Sequence, residues 1–190
     1  MTVDLKKGQM EEHIRALLTL IGEDPMREGL VDTPKRVAKM YEEVFSEVGI
    51  NPETALTTTF EEDYDGMVVV KDIQYYTFCE HHLIPFFGRA HIGYIPNGRV
   101  VGLSKFARLT ELVSKRPQVQ ERMTREIADA VMNVLQPEGV IVSLEGQHLC
   151  MCARGVKKPG SSTVTTIKKG IFKESSSLVR EFEQNLNRHE

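Results

Sequence analysis

Cys79-Glu80-His81-His82 ends a run of strand-forming residues and stands just before Pro85. A cysteine and a histidine separated by two residues can turn onto one metal ion, and zinc accepts both ligand types in a tetrahedral shell. Two ligands hold such an ion weakly, so a distant partner is needed. The chain has three cysteines, and the other two lie in His148-Leu149-Cys150-Met151-Cys152. A fold that uses both clusters must therefore bring residues 79–82 to residues 148–152. Ligand number then decides the chemistry. Cys79, His82, Cys150 and Cys152 would close the shell and make zinc structural; Cys79, His82 and Cys150 would leave a position for water. Spacing leaves both arrangements open, beside the plainer one of buried, inert thiols.

Two histidines accompany these ligands. His81 neighbours His82, and on a regular strand His148, Cys150, Cys152 and Arg154 point to one face. Histidine titrates near neutral pH and suits acid–base work at a metal-activated water. A surface histidine at 81 and a satisfied core histidine at 148 are the alternatives. The apolar set changes parity along this stretch, from Val140, Val142 and Leu144 to Leu149, Met151 and Ala153. A bulge at Gly146 is the expected cause.

Gly102-Leu103-Ser104-Lys105-Phe106-Ala107-Arg108 opens a helix whose free N–H groups favour an anion. Ser104, Lys105 and Arg108 cluster on its first turn. Arg154, Lys157 and Lys158 form a second basic group, and together the two suit a phosphate chain. Solvated cations behind an N-cap serine are the ordinary alternative. Glu121 could accept two parallel N–H bonds from a guanine edge, or simply be an acid favoured at a helix N-terminus.

The rest of the chain sets the frame. Its 190 residues are 41% hydrophobic and 27% charged, which suits one globular domain with a core that needs no disulfides. A net charge of -3 argues against a broad nucleic-acid or anionic-membrane surface. An odd cysteine count without an export signal suggests reduced thiols in the cytoplasm, and no apolar run is long enough for a membrane span. Periodicity predicts helices over 9–22 and, from a Thr33 N-cap with Pro34, to near Gly49. Residues 51–66 look irregular. Strands are expected at 67–78 and 86–95, with Asn97-Gly98 turning a hairpin into Val100 and Val101. Helices from Ser104 to about 115 and on to about 135, strands at 140–154 and 163–172, and a helix at 178–186 complete the pattern. The order predicts an α+β fold with a largely antiparallel sheet: an N-terminal helical segment, 1–66, before a main domain, 67–190.

Five motifs, in order, now carry a resemblance. Gly22-Glu-Asp-Pro-Met-Arg-Glu-Gly29 with Asp32-Thr-Pro-Lys-Arg36, Cys79-Glu-His-His82, Gly102-Leu-Ser-Lys105, Arg116-Pro-Gln-Val-Gln-Glu-Arg122, and His148-Leu-Cys150 with Ala153-Arg-Gly155 resemble the GTP cyclohydrolase I family from about residue 10 onward. The resemblance implies zinc on Cys79, His82 and Cys150 and requires no cysteine at the position of Cys152. It implies His81, His148 and Ser104 as catalytic groups. Ser104, Lys105, Arg108 and Arg154 become triphosphate contacts, Gln120 and Glu121 the purine-binding pair, and Leu103 a backbone contact to the base. The implied reaction is hydrolysis of GTP at guanine C8 with release of formate and rearrangement to 7,8-dihydroneopterin triphosphate, the first step of tetrahydrofolate and pterin biosynthesis. The implied architecture is a tunnelling fold, an antiparallel sheet with helices packed on one side, assembled into a homodecamer with active sites where subunits meet. A pyruvoyl-tetrahydropterin synthase would offer three histidines to zinc, and a zinc deaminase needs His-x-Glu and Pro-Cys-x-x-Cys, which are absent.

Overall fold

The computed structural model describes residues 3–187, and the chain divides into two compact units, 1–46 and 47–190. The first holds helices α1 (Val3–Leu20) and α2 (Thr33–Val44). Gly22, at φ +91°, makes the turn after α1 that side chains resist. The expected Thr33 cap is not formed: Asp32 precedes the helix in a helical conformation without a side-chain cap. Its carboxylate instead accepts from Arg36 at 3.2 Å, one turn on. Helix α2 ends at Val44, and turns carry the chain to Gly49 at φ +82°. Lys7 and Glu42 link the two helices at 3.6 Å.

The second unit contains β1 (Thr59–Glu61), β2 (Val68–Cys79), β3 (Pro85–Ile95), β4 (Arg99–Val101), α3 (Ser104–Ser114), β5 (Pro117–Gln118), α4 (Gln120–Leu135), β6 (Gly139–His148), α5 (Leu149–Cys152), β7 (Thr163–Gly170) and α6 (Ser176–Asn187). Its main sheet runs β5-β2-β3-β6-β7. All pairs are antiparallel except β2 with β5, where Cys79 lies beside Gln118. The predicted hairpin is corrected: Gly98 does turn, at φ +72°, but β4 pairs with β1 rather than β3. Pro96 lacks the N–H that would continue the β3 ladder. The segment expected to be irregular therefore contains a strand and a 3-10 turn, Pro52–Leu56.

Helix α3 buries Phe106, Leu109 and Val113, and α4 buries Met123, Ile127 and Val131, at helical spacing. They share one core with Tyr75, Ala90, Ile92, Val142 and Leu144 of the sheet. Each fully buried Val, Leu, Ile, Phe or Met among them contributes roughly 1.5–3 kcal/mol. The expectation of helices on one side holds for this pair only. Ile95 and Ile141 point to the opposite face, and α6 covers them with Phe182. An added methyl at Gly93 would lie 2.7 Å from the Phe182 ring.

Two features of this sheet aim the site. A bulge falls in β2 between Val70 and Ile73, with Asp72 at φ +60°. It absorbs one residue, so Val68 and Val70 face the same core as Ile73, Tyr75 and Cys79 despite their different parity. No bulge occurs at Gly146: the β3–β6 ladder runs unbroken from Phe86↔His148 to Ile95↔Gly139. The parity change has another cause. Strand β6 stops at His148, and the chain turns into the short helix α5. His148, Cys150, Cys152 and Arg154 thus do not share a strand face, which corrects that expectation too. Among the described residues no helix is long and apolar enough to cross a membrane.

Candidate metal centre and catalytic pocket

The β2–β3 loop is closed by its own backbone. Cys79 N–H donates to Ile84 O at 3.0 Å, and Leu83 N–H to Cys79 O at 2.9 Å. Closure this tight places Leu83 at φ +50°, a conformation costing ~1–2 kcal/mol for a side-chain residue. Helix α4 and strand β5 brace the loop. Glu80 N–H donates to Gln118 O at 3.0 Å, Arg122 Nε donates to Gln118 Oε1 at 3.0 Å, and the Arg122 guanidinium pairs with the Glu80 carboxylate. The same guanidinium holds the Glu80 carboxyl below its usual range.

The loop presents Cys79, only 3% exposed, with its Sγ 3.7 Å from His82 Nδ1. The turn of α5 brings Cys150 to them. The three ligand atoms lie within 4.8 Å of one another, and tetrahedral zinc with sulfur and nitrogen ligands needs separations of roughly 3.6–3.8 Å. The donor set therefore fits zinc after a small contraction. Burial, then the neighbouring Cys79, raises the Cys150 thiol pKa. Cys152 stands outside this group: its Sγ contacts Lys158 O at 3.7 Å. Arg154 Nη1 lies 3.0 Å from His82 Nε2, so this one member of the second basic group reaches the same centre.

Beside the ligands is a cavity of about 210 Å³, lined by Cys79, His81, Gln120, Glu121, His148 and Cys150, among others. His148 stacks on Phe86, its register partner in β3, with centroids 4.3 Å apart and planes 11° apart. Burial lowers the pKa of this imidazole. Gln120 Oε1 meets His148 Nε2 at 3.0 Å, and the Gln120 side chain is 2% exposed. The cavity thus joins thiols, two imidazoles and an exposed carboxylate, a set able to hold a metal and move protons beside it.

Leu103, Ser104, Lys105 and Arg108 are not brought to this cavity within the chain. Lys105 Nζ lies 3.4 Å from Thr57 Oγ1, and Arg108 lines a different hollow with Glu47 and Glu111. Helix α3 explains the separation. Its C-terminal end runs directly into Pro117, which pairs with Phe78 beside the metal loop. Its N-terminal end, where Ser104 sits, is then about 16 Å back along the axis.

Sequence reasoning passed over Phe86, Thr163, Gln118 and the brace through Arg122. Gly146 did carry a signal, since glycine inside a strand marks a close approach as well as a bulge. A Cβ there would fall 2.6 Å from both Gln120 Oε1 and the Tyr75 hydroxyl.

Comparison with known proteins identifies the family. The family model described as GTP cyclohydrolase I matches residues 10–187. Proteins named GTP cyclohydrolase 1 are similar over nearly their whole length. That of Clostridium perfringens (strain 13 / Type A) is 54% identical over 92% of this chain and 94% of its own. That of Streptococcus gordonii is 56% identical over 88% and 90%, and that of Brevibacillus brevis 53% identical over 93% and 94%.

Proposed function

This chain belongs to the GTP cyclohydrolase I family, and from that premise we propose that it hydrolyses GTP at guanine C8, releases formate and yields 7,8-dihydroneopterin triphosphate. The observation that carries the proposal is the convergence of Cys79, His82 and Cys150 beside a cavity that also holds His81, His148 and Glu121. Zinc held by those three residues would supply a Lewis acid that acidifies water at neutral pH. Cys152 lies outside the cluster, which favours an open, catalytic site over a closed, structural one.

The remaining work falls to the chain's own groups. Glu121 accepts from the guanine edge and orients the base. His148 accepts a proton from the water that adds at C8 and passes it to N7, and His148, His81 and Ser104 carry the protons of ring opening and closure. Ser104, Lys105, Arg108 and Arg154 hold the triphosphate, which is not cleaved, and the Leu103 backbone supports the base. Because the α3 residues lie a helix length from the thiols, the complete site takes α3 from a second copy of the chain. That requirement supports a homo-oligomer, which we propose is a decamer of tunnelling-fold domains, residues 67–190, each preceded by the segment 1–66, whose helices α1 and α2 lie within 1–46. Three free cysteines suit reduced thiols, and we place the enzyme in the cytoplasm, at the first step of pterin biosynthesis.

Incubation of zinc-loaded protein with GTP tests the proposal. Formate and, after oxidation, a fluorescent pterin are expected; absence of formate rejects it.

A further inference from the structure

The Gln120 side chain reaches from the start of α4 between strands β6 and β7. Its Nε2 lies 3.1 Å from Leu144 O, 2.9 Å from Thr163 O and 3.1 Å from Thr165 Oγ1. A carbonyl oxygen only accepts, so the amide must face these atoms with its NH2 end. The hydroxyls agree on direction. Thr124 Oγ1 donates to Gln120 O at 2.7 Å, leaving it to accept from Thr165 Oγ1 at 2.6 Å. Thr165, having donated, accepts from Gln120. Every donor in the ring of bonds has one consistent direction, and the amide cannot turn over without setting its oxygen against two carbonyls.

Gln120 Oε1 is therefore what meets His148 Nε2 at 3.0 Å, and the imidazole must donate there. We propose that Gln120 is a positioning residue that holds neutral His148 in the Nε2–H tautomer, leaving Nδ1 as its free lone pair. The hydrogen bond on one ring nitrogen decides which nitrogen carries the proton. The Phe86 stack fixes the ring plane, and the absent side chain at Gly146 lets Oε1 approach. Both amide hydrogens are spent inside the protein, so Gln120 has none to offer a purine. Its part in the reaction runs through His148, and in that respect the inference rests on the proposed acid–base role of His148.

Histidine-selective 15N spectra of the zinc-loaded protein test the assignment, with the His148 signals identified by their loss in His148→Asn. A protonated Nε2 and an unprotonated Nδ1 are expected. Gln120→Met keeps the length of the side chain and removes its acceptor; it should give mixed tautomers, lower kcat by at least about tenfold, and leave KM for GTP within about twofold. Thr165→Val removes one link of the ring while keeping Oε1, and should shift the same signals in the same direction to a smaller extent, which serves if Gln120→Met fails to fold. A protonated Nδ1 in the wild type, an unchanged tautomer in the variants that fold, or a raised KM with kcat retained would each overturn the assignment. A wild-type protein that releases no formate from GTP would sink the proposed activity, while the nitrogen spectra would still decide the tautomer.

Discussion

Cys150 joins Cys79 and His82 from a helical turn rather than from the strand before it, and so little of the sheet depends on it. It is half-buried, whereas Cys79 lies inside the main core. Cys150→Ser should therefore retain its circular dichroism spectrum while losing both zinc, read by elemental analysis, and formate release. Loss of the folded spectrum along with the metal would instead mark a structural ion. His91 makes a different kind of prediction. Burial lowers its pKa, against the opposing pull of the Asp72 and Glu145 carboxylates and with help from Arg89 and Lys71, and its Nδ1 accepts from Asp72 N–H at 3.1 Å. A lowered value means the unfolded chain takes up its proton first. Stability from this group is thus present above about pH 6.5 and is lost as pH falls from there toward the folded value. Scanning calorimetry should show His91→Gln losing less Tm than the wild type between about pH 7 and pH 5.5. At this scale the Cys79–His82–Cys150 cluster was legible because thiols and imidazoles are few in the chain. The Gln120–His148 contact was not, because the atoms that fix the amide come from β6 and β7, and no local spacing in the sequence records them.

Helices α3 and α4 were readable from periodicity because each buries a continuous apolar stripe against one partner surface. The errors fall where pairing or burial is decided at long range. Asn97-Gly98 announces a turn, yet only the fold decides that β4 goes to β1. The segment 140–154 has the composition of one long strand, but its ladder ends where Phe86 meets His148. The bulge expected at Gly146 is absent; a bulge that was not foreseen lies in β2, where Val68 and Val70 fall out of step with Ile73 and Tyr75. Helix α6 offers a test of the two-faced sheet. Phe182 is 1% exposed in a small core with Ile95, Ile141 and Phe172, apart from the core that holds Cys79. Phe182→Ala should cost about 3–5 kcal/mol in denaturant unfolding, while zinc per chain in the folded protein stays unchanged. Loss of zinc in the still-folded variant would show that the two faces are coupled.

At the scale of the molecule, the helix length that parts Ser104, Lys105 and Arg108 from the thiols matters most. If a second copy supplies those cations, Cys150→Ser and Lys105→Ala should each be inactive alone. Mixed and reassembled at equal amounts, they should regain roughly a quarter of the wild-type formate release, the share of sites built from two intact halves. No recovery from verified mixed assemblies would place both halves in one chain. The sheet itself favours association, since β7 lies at its edge with Val164, Thr166 and Lys168 exposed. Catalysis would then belong to encounters between chains, and it would be subject to mass action. Specific activity would fall on dilution, and a cell that halved its supply of this polypeptide near the dissociation threshold would lose more than half its output.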